Sequence, residues 1–159
     1  RDSSTSRGLG DVYKRQLDEG EAYTDYELRF EKDEAAELCT AVPSTGLIDV
    51  DKRSKNPMVG KTLPLSHELF DFAETIFDVL ESRQVTLSKK GEDKGVRLSF
   101  EGFPYLIVWS KPEGDFVAVE PWGGLSTCSD EDDVLEHKRG CLIAKPKETI
   151  VRSFTIEIL

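Results

Sequence analysis

Apolar and polar positions alternate along most of this chain with a period near two, and the segments they mark read as strands. Tyr26, Leu28 and Phe30 alternate with Glu27, Arg29 and Glu31, which puts three apolar side chains on one face of a strand over 25–31. Residues 36–42 predict a short second strand, ended by Pro43 and Gly46. Residues 51–62 read as a polar loop with Asn56-Pro57 as its turn signal. Phe72, Ile76, Phe77 and Leu80 are spaced for one face of a short helical turn over 71–80. Val85 and Leu87 alternate with Thr86 and Ser88, and Val96, Leu98 and Phe100 alternate with Arg97 and Ser99, with a polar hairpin loop between them at 89–93. Tyr105-Leu-Ile-Val-Trp109 is apolar throughout and predicts a strand buried on both faces. A turn at Lys111-Pro-Glu-Gly114 leads into Phe116-Val-Ala-Val-Glu120, after which Pro121, Gly123 and Gly124 predict another turn. Cys141–Ala144 and the alternation over 149–158 predict the last two strands. The pattern is that of an all-β sandwich, or part of one, with at least seven short strands, one or two short helical turns and no internal repeat.

Composition narrows the class. A length of 159 residues is one domain's worth, and 38% hydrophobic with 33% charged residues fits a globular chain rather than a disordered or membrane-embedded one. No apolar run is long enough to span a bilayer. The net charge of −10 and pI of about 4.7 give phosphate-backbone binding no electrostatic footing, so nucleic acid is not an expected partner. Three cysteines without a Cys-x-x-Cys pair fit reduced thiols in a cytoplasmic protein. Cys128, His137 and Cys141 match no standard zinc spacing, and the acidic run Ser129–Asp133 lacks the order of a calcium loop and reads as a solvated face. No metal is expected.

Residues 1–16 stand apart. They are locally basic, scatter Ser, Gly and Arg without periodicity, and lack the apolar core of a signal peptide. They resemble translated adaptor sequence at the end of a metagenomic reading frame. The expectation is a non-native, disordered leader over 1–16 and a partial sandwich domain over 17–159.

The candidate chemistry centres on Glu120, a carboxylate at the far end of an apolar strand and beside Trp122. A strand-end Glu commonly points into water. Where such an acid is instead poorly hydrated, desolvation disfavours its charged form, and carboxylates of that kind serve as general bases. His67 lies among Leu65, Leu69 and Phe70. It reads either as a core-edge histidine with one ring nitrogen hydrogen-bonded or as a substrate contact or proton donor. His137, between charged residues, reads as surface. Trp122, next to a turn, is open to a stacking contact or to packing, whereas Trp109, inside a continuous apolar strand, reads as core.

Three stretches in order, Leu63-Pro-Leu-Ser-His-Glu-Leu-Phe70, Phe103-Pro-Tyr-Leu-Ile-Val-Trp-Ser-Lys-Pro112 and Phe116-Val-Ala-Val-Glu-Pro-Trp-Gly-Gly124, carry a resemblance to a known family. From about Tyr23 to Leu159 the chain resembles the C-terminal part of the aldose 1-epimerase (galactose mutarotase) family, with its LacX-like bacterial branch as the best likeness. The resemblance implies a galactose mutarotase-like β-supersandwich and interconversion of the α and β anomers of a free hexose by acid/base ring opening, without a cofactor. It implies that Glu120 is the general base, with Trp122 and His67 as candidate sugar contacts. The family's general-acid histidine, in a His-Pro-x-Phe-like segment, is not present, since His67 precedes Glu68 and His137 precedes Lys138. The loop after Trp122 also departs from the branch's pattern, reading Gly-Gly-Leu-Ser-Thr. The expectation is therefore an epimerase-related fragment that is inactive by itself. The alternative is a non-catalytic carbohydrate-binding or regulatory protein on the same fold. A hexose-phosphate epimerase would need an Arg/Lys cluster, which the sequence does not supply.

Overall fold

The computed structural model describes residues 13–16, 20–71, 74–112 and 114–159, the first four by their backbone alone. Among the described residues, two sheets contain all the strands. The larger has six, in the order β1 (Tyr13–Gln16), β10 (Phe116–Trp122), β9 (Tyr105–Trp109), β6 (Thr75–Phe77), β3 (Leu38–Ala41) and β4 (Ile48–Ser54). The smaller has five, in the order β11 (Thr155–Ile158), β8 (Gly95–Ser99), β7 (Gln84–Lys89), β2 (Tyr26–Phe30) and β5 (Thr62–Pro64). Every strand pair is antiparallel. Only short 3-10 turns interrupt them, at Tyr23–Asp25, His67–Phe70 and Leu135–His137. This is the expected all-β sandwich.

The main core lies between the sheets. Leu28 and Phe30 of β2, Val85 and Leu87 of β7 and Leu98 of β8 meet Phe77 of β6, Leu106 and Val108 of β9 and Val117 and Val119 of β10 in one buried cluster. Phe30 and Phe77 touch across it with ring centroids 5.1 Å apart. Burial of this apolar area is the main force holding the sheets together. The β7–β8 turn passes through Gly91 at φ +79°, a left-handed conformation that glycine adopts without strain.

The outer face of the six-stranded sheet carries a second, smaller cluster: Cys39, Ile48, Ile76 and Ile107, covered by Leu125 and Cys128 from the segment after β10. That segment is tied to the sheet edge, since Ile48 N–H donates to Thr127 O at 2.9 Å and Ser129 N–H to Ile48 O at 2.8 Å. β9 is therefore buried on both faces, as its uninterrupted apolar run predicts, with Leu106, Ile107 and Val108 at most 1% exposed.

Several expectations are corrected. Residues 75–77 form strand β6, not a helical turn: Ile76 and Phe77 are buried on opposite faces of a three-residue strand locked between β3 and β9. Phe72, expected on the same face, lies outside the described residues. The loop predicted over 51–62 begins later, because β4 runs on to Ser54 against Leu38. β10 continues through Pro121 to Trp122, with Pro121 opposite Leu106. β1 pairs with β10 only as far as Val119, so the outer flank at Pro121 carries no strand partner among the described residues, and a residue without an N–H is tolerated there. Cys141–Ala144 is not a strand: nothing among the described residues pairs its backbone in a ladder, and Leu142 and Ile143 are 50% and 63% exposed. The alternation over 149–158 yields a strand only at Thr155–Ile158, an edge strand pairing with β8 alone and bridged by Arg97 and Glu157 at 2.8 Å.

Tyr13–Gln16 pair with β10, whereas the rest of the leader expected over 1–16, and Leu17 at the expected start of the domain, lie outside the described residues. No helix among the described residues is long and apolar enough to cross a membrane.

Candidate active site

The outer face of the β9–β10 pair builds the site. Strand side chains alternate between faces, so Ala118, Glu120 and Trp122 share one face of β10. The register places them opposite Trp109, Ile107 and Tyr105 of β9, respectively. Glu120 therefore has Ile107 directly across, Trp109 diagonal to it, and Trp122 two residues along its own strand. Diagonal neighbours are within reach of long aromatic side chains. Both indoles use that reach: Trp109 Nε1–H donates to Glu120 Oε1 at 2.5 Å and Trp122 Nε1–H donates to Oε2 at 3.0 Å. Such bonds to a carboxylate are stronger than neutral ones, and two of them fix the plane of the carboxyl group.

The hairpin that sets this register is closed by a buried hydroxyl. Ser110 Oγ–H donates to Phe116 O at 2.7 Å across the 111–115 turn, and Trp109 meets the Phe116 ring edge-on at 5.6 Å. Below the carboxylate, the outer cluster of Ile76, Ile107 and Cys39 forms a packed floor. Burial, reinforced by the charge of Asp78, pushes the Cys39 thiol up to about 12, so this thiol stays protonated and takes no part in nucleophilic chemistry near neutrality. The Cys128 thiol is likewise raised, first by burial and then by Glu131.

Above the floor, Glu120 opens into a cleft of about 350 Å³, lined by both indoles, Ile107, Ser110, Phe70 and the carboxylates Asp71 and Glu74. That volume is of the size that holds a small molecule. A half-buried carboxylate braced by two donors, with aromatic surface beside it, can accept a proton from a bound hydroxyl.

The residues singled out from the sequence separate here. Glu120 and Trp122 line the same cleft. His67 stands outside the lining, in the 3-10 turn that brings Phe70 to it, and stacks on Tyr23 with centroids 4.4 Å apart and ring planes 20° apart. Tyr23 is itself buried, and desolvation raises its phenol to about 12, offset in part by Ser110. His137 is on the surface, 2.8 Å from Asp132. The acids Asp130 and Glu131, expected to be merely solvated, pair with Arg139 and Lys138. No group of three or more His, Cys, Asp or Glu side chains suited to a metal ion occurs among the described residues. Trp109, read as core, is the residue the sequence reasoning missed. The signal was strand parity: counting back from Glu120 across the 111–115 turn places 105, 107 and 109 on its face. For Asp71 and Glu74 no comparable signal exists.

Comparison with known proteins adds to this geometry. No family model matches the chain. It is 38% identical over 153 residues to the plasmid-encoded and the chromosomal LacX proteins of Lactococcus lactis subsp. lactis, a match covering 96% of this chain and 51% of each of theirs. The chain thus spans about half the length of the curated relatives it matches. Among solved structures it is similar to a galactose mutarotase related enzyme from Lactobacillus acidophilus, with a TM-score of 0.78 and 24% identity over 94% of this chain and 51% of that one. It is also similar to a galactose mutarotase-like protein from Lactobacillus casei, with a TM-score of 0.62 and 27% identity over 84% of this chain and 44% of that one. From these likenesses the chain has the galactose mutarotase-like sandwich fold and is similar in sequence to about half of LacX.

Proposed function

We propose that the whole protein to which this chain corresponds is an aldose 1-epimerase-related isomerase acting on a free hexose, with Glu120 as its general base. The observation that carries this reading is the Glu120 carboxylate held by the Trp109 and Trp122 N–H groups inside an open cleft. Glu120 takes the proton of the anomeric hydroxyl while a separate acid protonates the ring oxygen. The C1–O5 bond breaks to give the aldehyde, the C1–C2 bond rotates, and closure on the other face with the protons returned gives the other anomer. Trp122 from the lining and His67 from the turn that carries Phe70 are the proposed sugar contacts. None of the described residues lining the cleft is a histidine, and we place the acid outside them, as the resemblance implies. The 159-residue chain by itself is therefore expected to bind sugar without turning it over.

Polarimetry tests this. The 159-residue chain should equilibrate α-glucose or α-galactose no faster than buffer, and the whole protein well above it. In the whole protein, Glu120→Gln should lose turnover by roughly a hundred- to ten-thousandfold, the range for general-base catalysis, with sugar binding retained. Unchanged turnover in that variant sinks the assignment. A second reading, a non-catalytic sugar-binding protein, is favoured by the absence of a histidine among the described lining residues. Tight binding without turnover in the whole protein would select it.

A further inference from the structure

The cleft's charge is one-sided. Three carboxylates line it, Asp71, Glu74 and Glu120, together with two indoles, and among the described residues no Lys, Arg or His side chain is in the lining. Glu120 is the most satisfied of the three, with one N–H donor on each oxygen. Among the described residues the Asp71 and Glu74 side chains make no hydrogen bond or ion pair, so their charge is uncompensated. Outside the lining, Arg53 pairs with Asp78 at 2.7 Å and Arg139 with Asp130 at 2.6 Å, whereas the buried Arg152 Nη1 has no hydrogen-bond partner among the described residues. Arg152 lies 5.4 Å over the Phe103 ring and against Gly123, outside the lining. Indole faces add to the asymmetry, because their quadrupole attracts a cation and gives nothing to an anion.

Resting on the reading of the cleft as a sugar site, we propose that it selects sugars by charge. It takes a protonated amino sugar in preference to the neutral hexose and rejects sugars that carry phosphate or carboxylate, and Asp71 and Glu74 set that preference. Selectivity is a difference of affinities, and here the repulsive half is as informative as the attractive one. A phosphate brought beside uncompensated carboxylates meets like charge and no donor cation. An ammonium group in the same place meets opposite charge and aromatic surface.

Isothermal titration calorimetry of the 159-residue chain at pH 6.5 and low salt, with glucose, glucosamine, glucose 6-phosphate and glucuronate as the probes, decides the matter. Glucosamine should bind roughly three- to tenfold more tightly than glucose, the range for partly exposed ion-pair and cation–π contacts, and the two anionic sugars should show no saturable heat. Added salt should shrink the gap. Asp71→Asn combined with Glu74→Gln, with folding checked by circular dichroism, should bring the glucosamine-to-glucose ratio to about one, as expected once the uncompensated charge is gone. An anionic sugar binding as well as glucose, a preference that survives the double variant, or no binding of any of the four overturns the proposal. Its failure is distinct from failure of the base assignment: Glu120→Gln with unchanged turnover removes Glu120 as base and leaves the charge order intact.

Discussion

Glu34 and Glu120 each have both carboxylate oxygens hydrogen-bonded, yet they occupy opposite kinds of place. Glu34 is 4% exposed, and its donors are the backbone N–H groups of Ser82 at 2.7 Å and Glu81 at 3.0 Å. Nearby, Asn56 Nδ2 donates to the carbonyls of Glu34 and Ala36, at 2.7 and 2.9 Å. Those donors cannot move without moving the chain, and no open face remains. Glu120 is held by two side chains on a sheet surface and faces a cleft. The number of hydrogen bonds does not separate a staple from a site; the origin of the donors and the access left over do.

The widest test of that contrast is stability. Glu34→Ala leaves two buried N–H groups without their charged acceptor and should cost about 3 kcal/mol, a fall in Tm on the order of 10 °C by calorimetry. Sugar binding should persist below that Tm. A Tm within a degree or two of the parent would remove the staple from the comparison. The second test probes two buried weak acids, Cys39 in the floor beneath Glu120 and Tyr23 in the core between the sheets. Cys39 and Tyr23 are both raised to about 12, each first by burial. A raised acid binds its proton more tightly in the folded than in the unfolded state, so its contribution is complete below the ordinary value and is lost as pH rises through the folded one. The unfolding free energy from urea titration should therefore fall between pH 8 and pH 11, by on the order of 2 kcal/mol, and Cys39→Val should flatten the fall.

Smaller effects follow. Glu120→Gln keeps an acceptor oxygen for one indole on a half-exposed surface and should change unfolding stability by less than about 1 kcal/mol. A loss as large as that of Glu34→Ala would mean that the two carboxylates do the same job. The mildest change is acidic. Asp130 is held below its ordinary range by hydrogen bonds from Arg139, and Asp132 by its contact with His137. A depressed carboxyl contributes above its ordinary value and ceases to as pH falls through the folded one. Pepsin digestion at pH 3 should then nick the 126–140 segment while far-ultraviolet circular dichroism still reports both sheets.

The contrast also explains what sequence could and could not show. β9 and β10 were legible because uninterrupted apolar runs leave few alternatives, and Glu120 stood out as the one charge in such a run. β6 was not legible. Three residues are too few to establish a period, and the spacing of Ile76, Phe77 and Leu80 fits a helical face as well as two faces of a strand. Trp109 was misread because a tryptophan in an apolar strand looks like core until register assigns its face. Glu34 carried no mark at all, since its role depends on Glu81 and Ser82, which are distant in sequence and brought to it only by the fold. The overextended strands at the C-terminal end show the converse: alternation is a necessary pattern, and a partner strand is what completes it.

The chain has two tryptophans, and both donate to the same carboxylate. All of its indole emission therefore originates within hydrogen-bonding distance of Glu120. Fluorescence is in this protein a single-site gauge, sensitive to whatever displaces, protonates or shields that one side chain. A denaturation followed by emission reports the outer face of one sheet, while circular dichroism reports both sheets. If the two curves separate, the gap between them measures how far the face that holds the cleft loosens before the sandwich itself comes apart.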